Sequence, residues 1–169
     1  MHVLVATASK HGATREIAEA IGRTLDSQSV SATVMDAGAV ESLAAYDAFV
    51  IGSAVYVGHW LKDARDLVER HADVLSAHPT WLFSSGPLGT PPKPDVGHAV
   101  DVTAIVASSG AREHRVFAGK IDKHELGFGE RAAMLAVRAA DGDFREWDEI
   151  EEWAREITAA VRKIGRAHV

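Results

Sequence analysis

The sequence predicts an α/β protein in which a doubly wound sheet of five parallel strands forms the middle of three layers. Short apolar segments, rich in β-branched and aromatic residues, alternate with amphipathic segments of helical period. This alternation implies right-handed crossovers, which produce a parallel sheet with helices on both faces. The apolar segments are nearly continuous, as expected for strands that are buried on both sides.

Five segments carry the strand pattern and are bounded by turn residues: 2–7, 30–36, 47–54, 79–85 and 114–119. After the first strand, Ile17, Ile21 and Leu25 recur at helical spacing. The same period predicts helices over 61–75, about 99–107 and 146–164, with room for one helical turn after the second strand. This connectivity fits the strand order 2-1-3-4-5, which places a ligand outside the carboxyl ends of strands one and three.

The chain has 169 residues, which predicts one domain spanning 1–169. Segment 120–147 is an insertion between the fifth strand and the last helix, relative to a minimal five-strand domain. The Pro-rich segment 86–97 directly follows the fourth strand. We expect it to form a shaped loop at the ligand end of the sheet.

The composition argues against several classes of function. A formal net charge of −6 and the lack of a basic stripe oppose a nucleic-acid partner. No apolar run approaches the roughly 20 residues that span a bilayer, so we expect peripheral membrane contact at most. The chain has no Cys and no signal-peptide pattern, which excludes disulfides and thiolate nucleophiles and favours a cytoplasmic location.

The segment TASKHGAT, Thr7 to Thr14, joins the first strand to the first helix. A helix N-terminus directs unpaired N–H groups and the positive end of the helix dipole at one point, which favours an anion. Hydroxyl side chains can donate further hydrogen bonds, and Gly12 permits a close approach or an unusual backbone conformation. A phosphate is therefore the expected ligand, and the alternative is a hydroxyl-capped turn that binds nothing.

Other sites are not supported by the residue spacing. The patterns GxGxxG and GxxxxGKS/T are absent, which disfavours a dinucleotide and a nucleoside triphosphate. Nine His residues are scattered without metal-ligand spacing, so no metal is predicted. Ser84 follows a strand but lacks the G-x-S-x-G elbow of a nucleophile. The catalytic residues are therefore left unknown.

Three loop sequences resemble those of flavodoxins. TASKHGATREIA is similar to their phosphate loop, and more closely to that of flavodoxin-type menaquinone-dependent protoporphyrinogen oxidases and their actinobacterial flavodoxin-domain relatives. GSAVYVGHW (52–60) and FSSGPLG (83–89) end the third and fourth strands, where the family has its flavin-contacting loops. RVFAGKID, GFGERAAMLAVRA and GDFREWDEIEEWA resemble the C-terminal part of the oxidases, so the likeness covers nearly the whole chain.

The resemblance implies a flavodoxin-like fold with FMN as the cofactor. It places the FMN phosphate on the first loop: Thr7, Ser9, Lys10, His11, Gly12, Ala13 and Thr14. It places the isoalloxazine ring between the second loop, with Ala54, Val55, Tyr56, Val57 and Gly58, and the third, with Ser85, Gly86, Pro87, Leu88 and Gly89. For Trp60 and His59, packing or solvation is an equal alternative to a flavin contact.

The third loop departs from the pattern of many electron-carrier flavodoxins, because GPLGTPPKP has no aromatic residue to stack on the outer flavin face. That face is then open to a substrate, unless Phe128 of the insertion covers it. The helical pattern ERAAMLAVRAA in the insertion has an apolar side with basic flanks. It could bind a porphyrin carboxylate, a quinone or a membrane surface, or simply cover a sheet edge.

The resemblance implies an FMN-dependent oxidoreductase that oxidises protoporphyrinogen, or a similar reduced organic substrate, with a quinone as electron acceptor. One alternative is an electron carrier without a substrate of its own, which meets a redox protein partner through its acidic surface. Another is an NAD(P)H:quinone reductase.

Overall fold

The computed structural model describes residues 1–86, 102–121, 142–143 and 145–167. Five parallel strands form the main sheet: β1 (His2–Ala8), β2 (Ser31–Asp36), β3 (Ala48–Tyr56), β5 (Thr80–Gly86) and β6 (Glu113–Ala118). Their order is β2-β1-β3-β5-β6, which confirms the predicted order and the flavodoxin-like fold class. The short strand β4 (His59–Trp60) was not predicted and pairs antiparallel with the end of β3.

The helices lie between the strands along the chain. They are α1 (Ala13–Ser27), α2 (Lys62–Arg70), α3 (Ala72–Ala77), α4 (Thr103–Ser109) and α5 (Trp147–Ala167), with a 3₁₀ turn at Ala37–Ala39. The helix predicted over 61–75 is broken at His71, whose φ of −118° and ψ of 20° leave the helical region. Apolar spacing did not reveal this break, because Leu67 and Leu75 are buried on either side of it.

Both faces of the sheet are covered. On one face, Val3, Val5 and Val50 pack against α1 and α5. On the other face, Leu4 and Ile51 belong to a second buried cluster that includes residues of α2 and α3. Successive strand residues point to opposite faces, so both sides of the central strands β1 and β3 are apolar, as the continuous sequence pattern predicts. The edge strands β2 and β6 are less buried and include polar residues.

The base of the predicted insertion is a two-stranded antiparallel ladder. Strand β7 (Lys120–Ile121) pairs with β8 (Gly142–Asp143), and α5 begins four positions after β8. The predicted helical pattern ERAAMLAVRAA and Phe128 lie outside the described residues, as does most of the Pro-rich segment. Within the described ranges, no helix is long and apolar enough to cross a membrane.

Candidate functional site

The carboxyl ends of β1, β3 and β5 bring the three predicted loops to one edge of the sheet. Parallel pairing places Ala8 opposite Ser53 and, one strand further along, Ala54 opposite Ser85. Residues from all three loops are therefore neighbours, as expected for parallel strands on the two sides of the point where chain order reverses.

The first loop has a backbone that only glycine adopts readily. Gly12 has φ 85° and ψ −10°, in the left-handed region, directly before α1. A Cβ built on Gly12 would meet no described atom within 4 Å, so conformation rather than crowding favours glycine here. The Gly12 N–H donates to Ser9 Oγ at 3.0 Å, and Gly12 O accepts from the Glu16 N–H at 3.0 Å. Among the described residues no side chain caps α1, so N–H groups of its first turn face outward without a side-chain acceptor.

Thr7 supplies the feature that distinguishes this loop from a capped turn. It is 1% exposed, and its Oγ1 has no hydrogen-bond partner in the part of the chain that the structure describes. Thr7 also lines a cavity of about 700 Å³, together with Ser9, Gly12 and Arg15. A buried hydroxyl without a partner costs free energy, so such groups are rare unless a ligand or water completes them. The outward N–H groups and this hydroxyl together fit the oxygens of a phosphate.

Charged side chains surround the cavity without giving it one sign. Arg15 Nη1 lies 3.2 Å from Asp36 Oδ2, and both side chains are more than half exposed. Lys10 is exposed and its Nζ lies 5.0 Å from the centroid of the Tyr56 ring. This contact joins the first predicted loop to the second. His11 is also exposed, and Thr14 is buried at the start of α1.

The second loop is a two-residue hairpin turn between β3 and β4. Val57 and Gly58 have φ values of 50° and 78°, and the flanking residues Tyr56 and His59 are paired. Positive φ at both central positions is typical of a type I′ turn. For a β-branched residue it is strained, and Val57 is nevertheless 66% exposed at the tip.

Trp60 is buried, which favours packing over a flavin contact as its role. It is 2% exposed, and its indole Nε1 donates to Ser84 Oγ at 2.7 Å. Ser84 Oγ in turn lies 2.7 Å from His114 Nε2. The direction of the bond between Ser84 and His114 depends on the tautomer of the ring: in the neutral tautomer with an unprotonated Nε2, the Ser84 hydroxyl donates to His114 while it accepts from the indole. Burial lowers the pKa of His114, which favours that neutral form. The three residues lie on three different strands, so sequence spacing gave no signal for this network.

The third loop is described only at its start. Ser85 is 4% exposed and Gly86 ends β5, whereas Pro87, Leu88 and Gly89 lie outside the described residues. The Gly86 carbonyl accepts from the Gly119 N–H at 2.8 Å. A Cβ on Gly119 would lie 2.6 Å from that carbonyl oxygen. Glycine at 119 therefore permits the close approach of the two chain segments.

Arg145, just before α5, makes a second contact that the sequence did not predict. Its side chain is 5% exposed and reaches the first turn of α1, where it forms an ion pair with Glu16. Asp143 of the β7–β8 ladder binds the same guanidinium and raises its pKa further above the ordinary range of arginine. Nothing in the spacing of Glu16 and Arg145 along the chain indicates this contact.

Within the described ranges, no group of three or more His, Asp and Glu side chains could hold a metal ion. The absence of a metal site stays a prediction, because further His, Asp and Glu residues lie outside the described ranges. No catalytic residue is assigned.

A family model described as a flavodoxin domain matches residues 4–148, most of the chain. This protein belongs to the flavodoxin domain family. Membership indicates FMN as its cofactor. The phosphate-compatible geometry of the first loop agrees with it.

One curated relative is protoporphyrinogen IX dehydrogenase (quinone) of Escherichia coli strain K12. It is 23% identical to this flavodoxin-family chain, over 96% of this chain and 98% of the relative. Among solved structures, a Streptococcus pneumonia TIGR4 flavodoxin has a TM-score of 0.64 and 19% identity, covering 95% of this chain and 99% of its own. A Cys-to-Ser mutant of the flavodoxin from Pseudomonas aeruginosa has a TM-score of 0.62 and 18% identity, covering 96% and 99%. At these identities the two structures show a shared fold.

Proposed function

We propose that this flavodoxin-family protein is an FMN-dependent oxidoreductase that oxidises protoporphyrinogen, or a similar reduced organic substrate, and reduces a quinone. Each cycle removes two electrons and two protons from the substrate and adds two of each to the quinone, which becomes a quinol. FMN supplies the ring that carries the electrons between the two reactants. The cytoplasm remains the expected location.

The unpartnered Thr7 hydroxyl is the observation that carries the cofactor site. We assign the phosphate to the first loop, with Thr7 Oγ1 and the N–H groups at the start of α1 as donors. The residues of this loop assigned to the phosphate are Thr7, Ser9, Lys10, His11, Gly12, Ala13 and Thr14. The ring lies between the β3–β4 hairpin and the end of β5 in this proposal. The second-loop residues are Ala54, Val55, Tyr56, Val57 and Gly58, and the third-loop residues include Ser85 and Gly86.

The role of the polypeptide in this proposal is to bind and orient the ring. Trp60 Nε1 donates a hydrogen bond to Ser84, which fixes β4, the second strand of the hairpin, next to the exposed tip. The carbonyl of Gly86 is held by Gly119, which fixes the start of the third loop. No side-chain nucleophile is required for electron transfer through a flavin.

Two observations support an enzyme over a carrier. The likeness to a quinone-dependent dehydrogenase extends over 96% of the chain. The sequence GPLGTPPKP also offers no aromatic residue to cover the outer face of the ring.

The formal net charge of −6 favours the second candidate, an electron carrier that docks on a basic partner protein.

The cofactor assignment is tested by fluorescence titration of the flavin-stripped protein with FMN, and with riboflavin as the phosphate-free control. We expect quenching of FMN emission at sub-micromolar affinity and much weaker binding of riboflavin. Equal affinities, or no binding of either, would contradict the assignment of the first loop to a phosphate.

The reaction is tested with the FMN-loaded protein, protoporphyrinogen and menaquinone, with oxygen excluded. Repeated turnover supports the oxidase and excludes a pure carrier. Reduction of the protein by a partner, without turnover of the porphyrinogen, supports the carrier instead. Direct consumption of NADPH with a quinone would point to the nicotinamide-dependent quinone reductase.

A further inference from the structure

Arg145 contacts a residue 132 positions earlier in the chain. Its Nη1 donates to the carbonyl of Ala13 at 3.3 Å and to the carboxylate of Glu16. Both residues belong to the first turn of α1, directly after Gly12. The contact therefore lies on the turn that presents N–H groups to the candidate phosphate site.

The guanidinium is held on its other sides as well. Asp143 accepts from Nε at 2.8 Å and from Nη2 at 2.7 Å, in a bidentate geometry. The Arg145 Cζ atom lies 4.6 Å from the centroid of the Trp147 ring, at the start of α5. With a side chain only 5% exposed, Arg145 joins the β7–β8 ladder, α5 and α1 through one rigid group.

The charges at this contact lie at the end of α1 that favours an anion. Glu16 lies in the first turn of α1, where an acidic side chain is favoured by the helix dipole but repels a bound anion. Arg145 pairs with this carboxylate and offsets its charge; the guanidinium is nearly buried, whereas the Glu16 side chain is 54% exposed. The bond to the Ala13 carbonyl also fixes the direction of the first turn.

We propose that Arg145 is a positioning residue for the phosphate site, and that it sets the preference of this protein for phosphate-bearing FMN over riboflavin. It acts through Glu16 and the Ala13 carbonyl and need not touch the flavin. The inference rests on the proposed assignment of the phosphate to the first loop, and it extends that site to the chain segment before α5.

The experiment measures dissociation constants of FMN and riboflavin for the flavin-stripped full chain and its variants. In Arg145→Gln, we expect FMN affinity to fall about tenfold, because the unpaired Glu16 repels the phosphate. Riboflavin has no phosphate, so its affinity should stay nearly constant. Arg145→Lys keeps the charge but loses the bidentate fork, so we expect an intermediate ratio.

Arg115→Gln is the matched control. Arg115 also pairs with two carboxylates, Glu113 and Glu156, and lies near a tryptophan ring, but it is on β6 and these two ion pairs do not involve α1. We expect this variant to lose some stability and to keep the wild-type ratio of FMN to riboflavin affinity. The double variant Glu16→Gln/Arg145→Gln should recover much of the lost FMN affinity, because the repelling charge is gone.

The outcomes separate the two proposals. If the wild type binds FMN and riboflavin equally, the phosphate assignment itself is wrong. If the wild type prefers FMN and folded Arg145→Gln keeps that preference, only the role of Arg145 is overturned. If Arg145→Gln does not fold, an unchanged ratio in Arg145→Lys overturns that role. Failure of the double variant to recover FMN affinity overturns the charge argument.

Discussion

Two hydroxyl groups at the same end of the sheet have opposite surroundings. Ser84 on β5 is fully buried and lies within hydrogen-bond distance of both Trp60 and His114. Thr7 on β1 is equally buried, and its Oγ1 has no partner among the described residues. A protein interior normally satisfies its buried polar groups, so the first arrangement is structural and the second is suited to a ligand. Ser84 therefore belongs to the part of the molecule that supports the candidate site, and Thr7 to the part that is suited to bind a ligand.

The comparison predicts opposite effects of removing the two hydroxyls, and the largest concerns Thr7. In Thr7→Val, we expect FMN affinity to fall tenfold to a hundredfold, because a hydrogen bond to a charged group contributes about 1.5–3 kcal/mol. The free energy of unfolding without FMN should not decrease, since the lost hydroxyl had no partner. Thr80→Val is the control: Thr80 Oγ1 is buried and donates to Leu75 O, so this change should destabilise the fold and spare FMN. Unchanged FMN affinity in Thr7→Val would remove the distinction.

Removal of the Ser84 hydroxyl should mainly affect stability. Ser84→Ala leaves the Trp60 N–H and the ring of His114 without their partner, which costs about 1–3 kcal/mol. Urea unfolding measures this loss. Any change in FMN affinity should be smaller than in Thr7→Val, because Ser84 contacts Trp60 of the hairpin and is not among the residues assigned to FMN. Wild-type stability in the Ser84→Ala variant would show that the network is not a structural one.

The same network predicts a dependence of stability on pH. Burial lowers the pKa of His114 in the folded protein, so below about pH 6.5 the unfolded chain binds protons that the folded chain excludes. Stability is therefore complete above that pH and decreases as the pH falls towards the folded pKa, by about 1.4 kcal/mol for each unit of pKa difference.

Unfolding in urea between pH 8 and 5 tests this dependence. His114→Gln keeps an acceptor for Ser84 but cannot be protonated, so its stability should fall less steeply. The pKa of His71 is also lowered, by burial and by Arg70, so part of the slope should persist in this variant. The exposed His59→Gln is the control. A His114→Gln profile parallel to the wild type would contradict this explanation.

The smallest expected effect concerns the hairpin tip. Val57→Asn replaces a β-branched residue at φ 50° with one that tolerates the left-handed region, so we expect a gain of about 0.5 kcal/mol in unfolding free energy. If the tip is strained for binding, this variant should also bind FMN differently from the wild type. A loss of stability would show that the side chain of Val57 contributes packing in the folded protein.

The sequence predicted the order of the strands and the common edge of the three loops, because both follow from periodicity and connectivity. It did not predict the break at His71, since the apolar spacing continues across it. The contacts of Ser84 and Arg145 join residues far apart in the chain, and such pairings leave no local pattern. The conformation of Gly12 was anticipated in kind, because a strand that turns at once into a helix commonly uses a glycine with positive φ.

The distance along the chain between Ala13 and Arg145 has a consequence for biosynthesis. The first loop leaves the ribosome before Arg145, which is added 132 residues after Ala13. Domains form as units as translation proceeds from the N-terminus. A nascent chain that stops short of Arg145 therefore lacks the contacts of this residue with Ala13 and Glu16. If Arg145 has the role proposed above, the candidate phosphate site is completed only after this residue has been added.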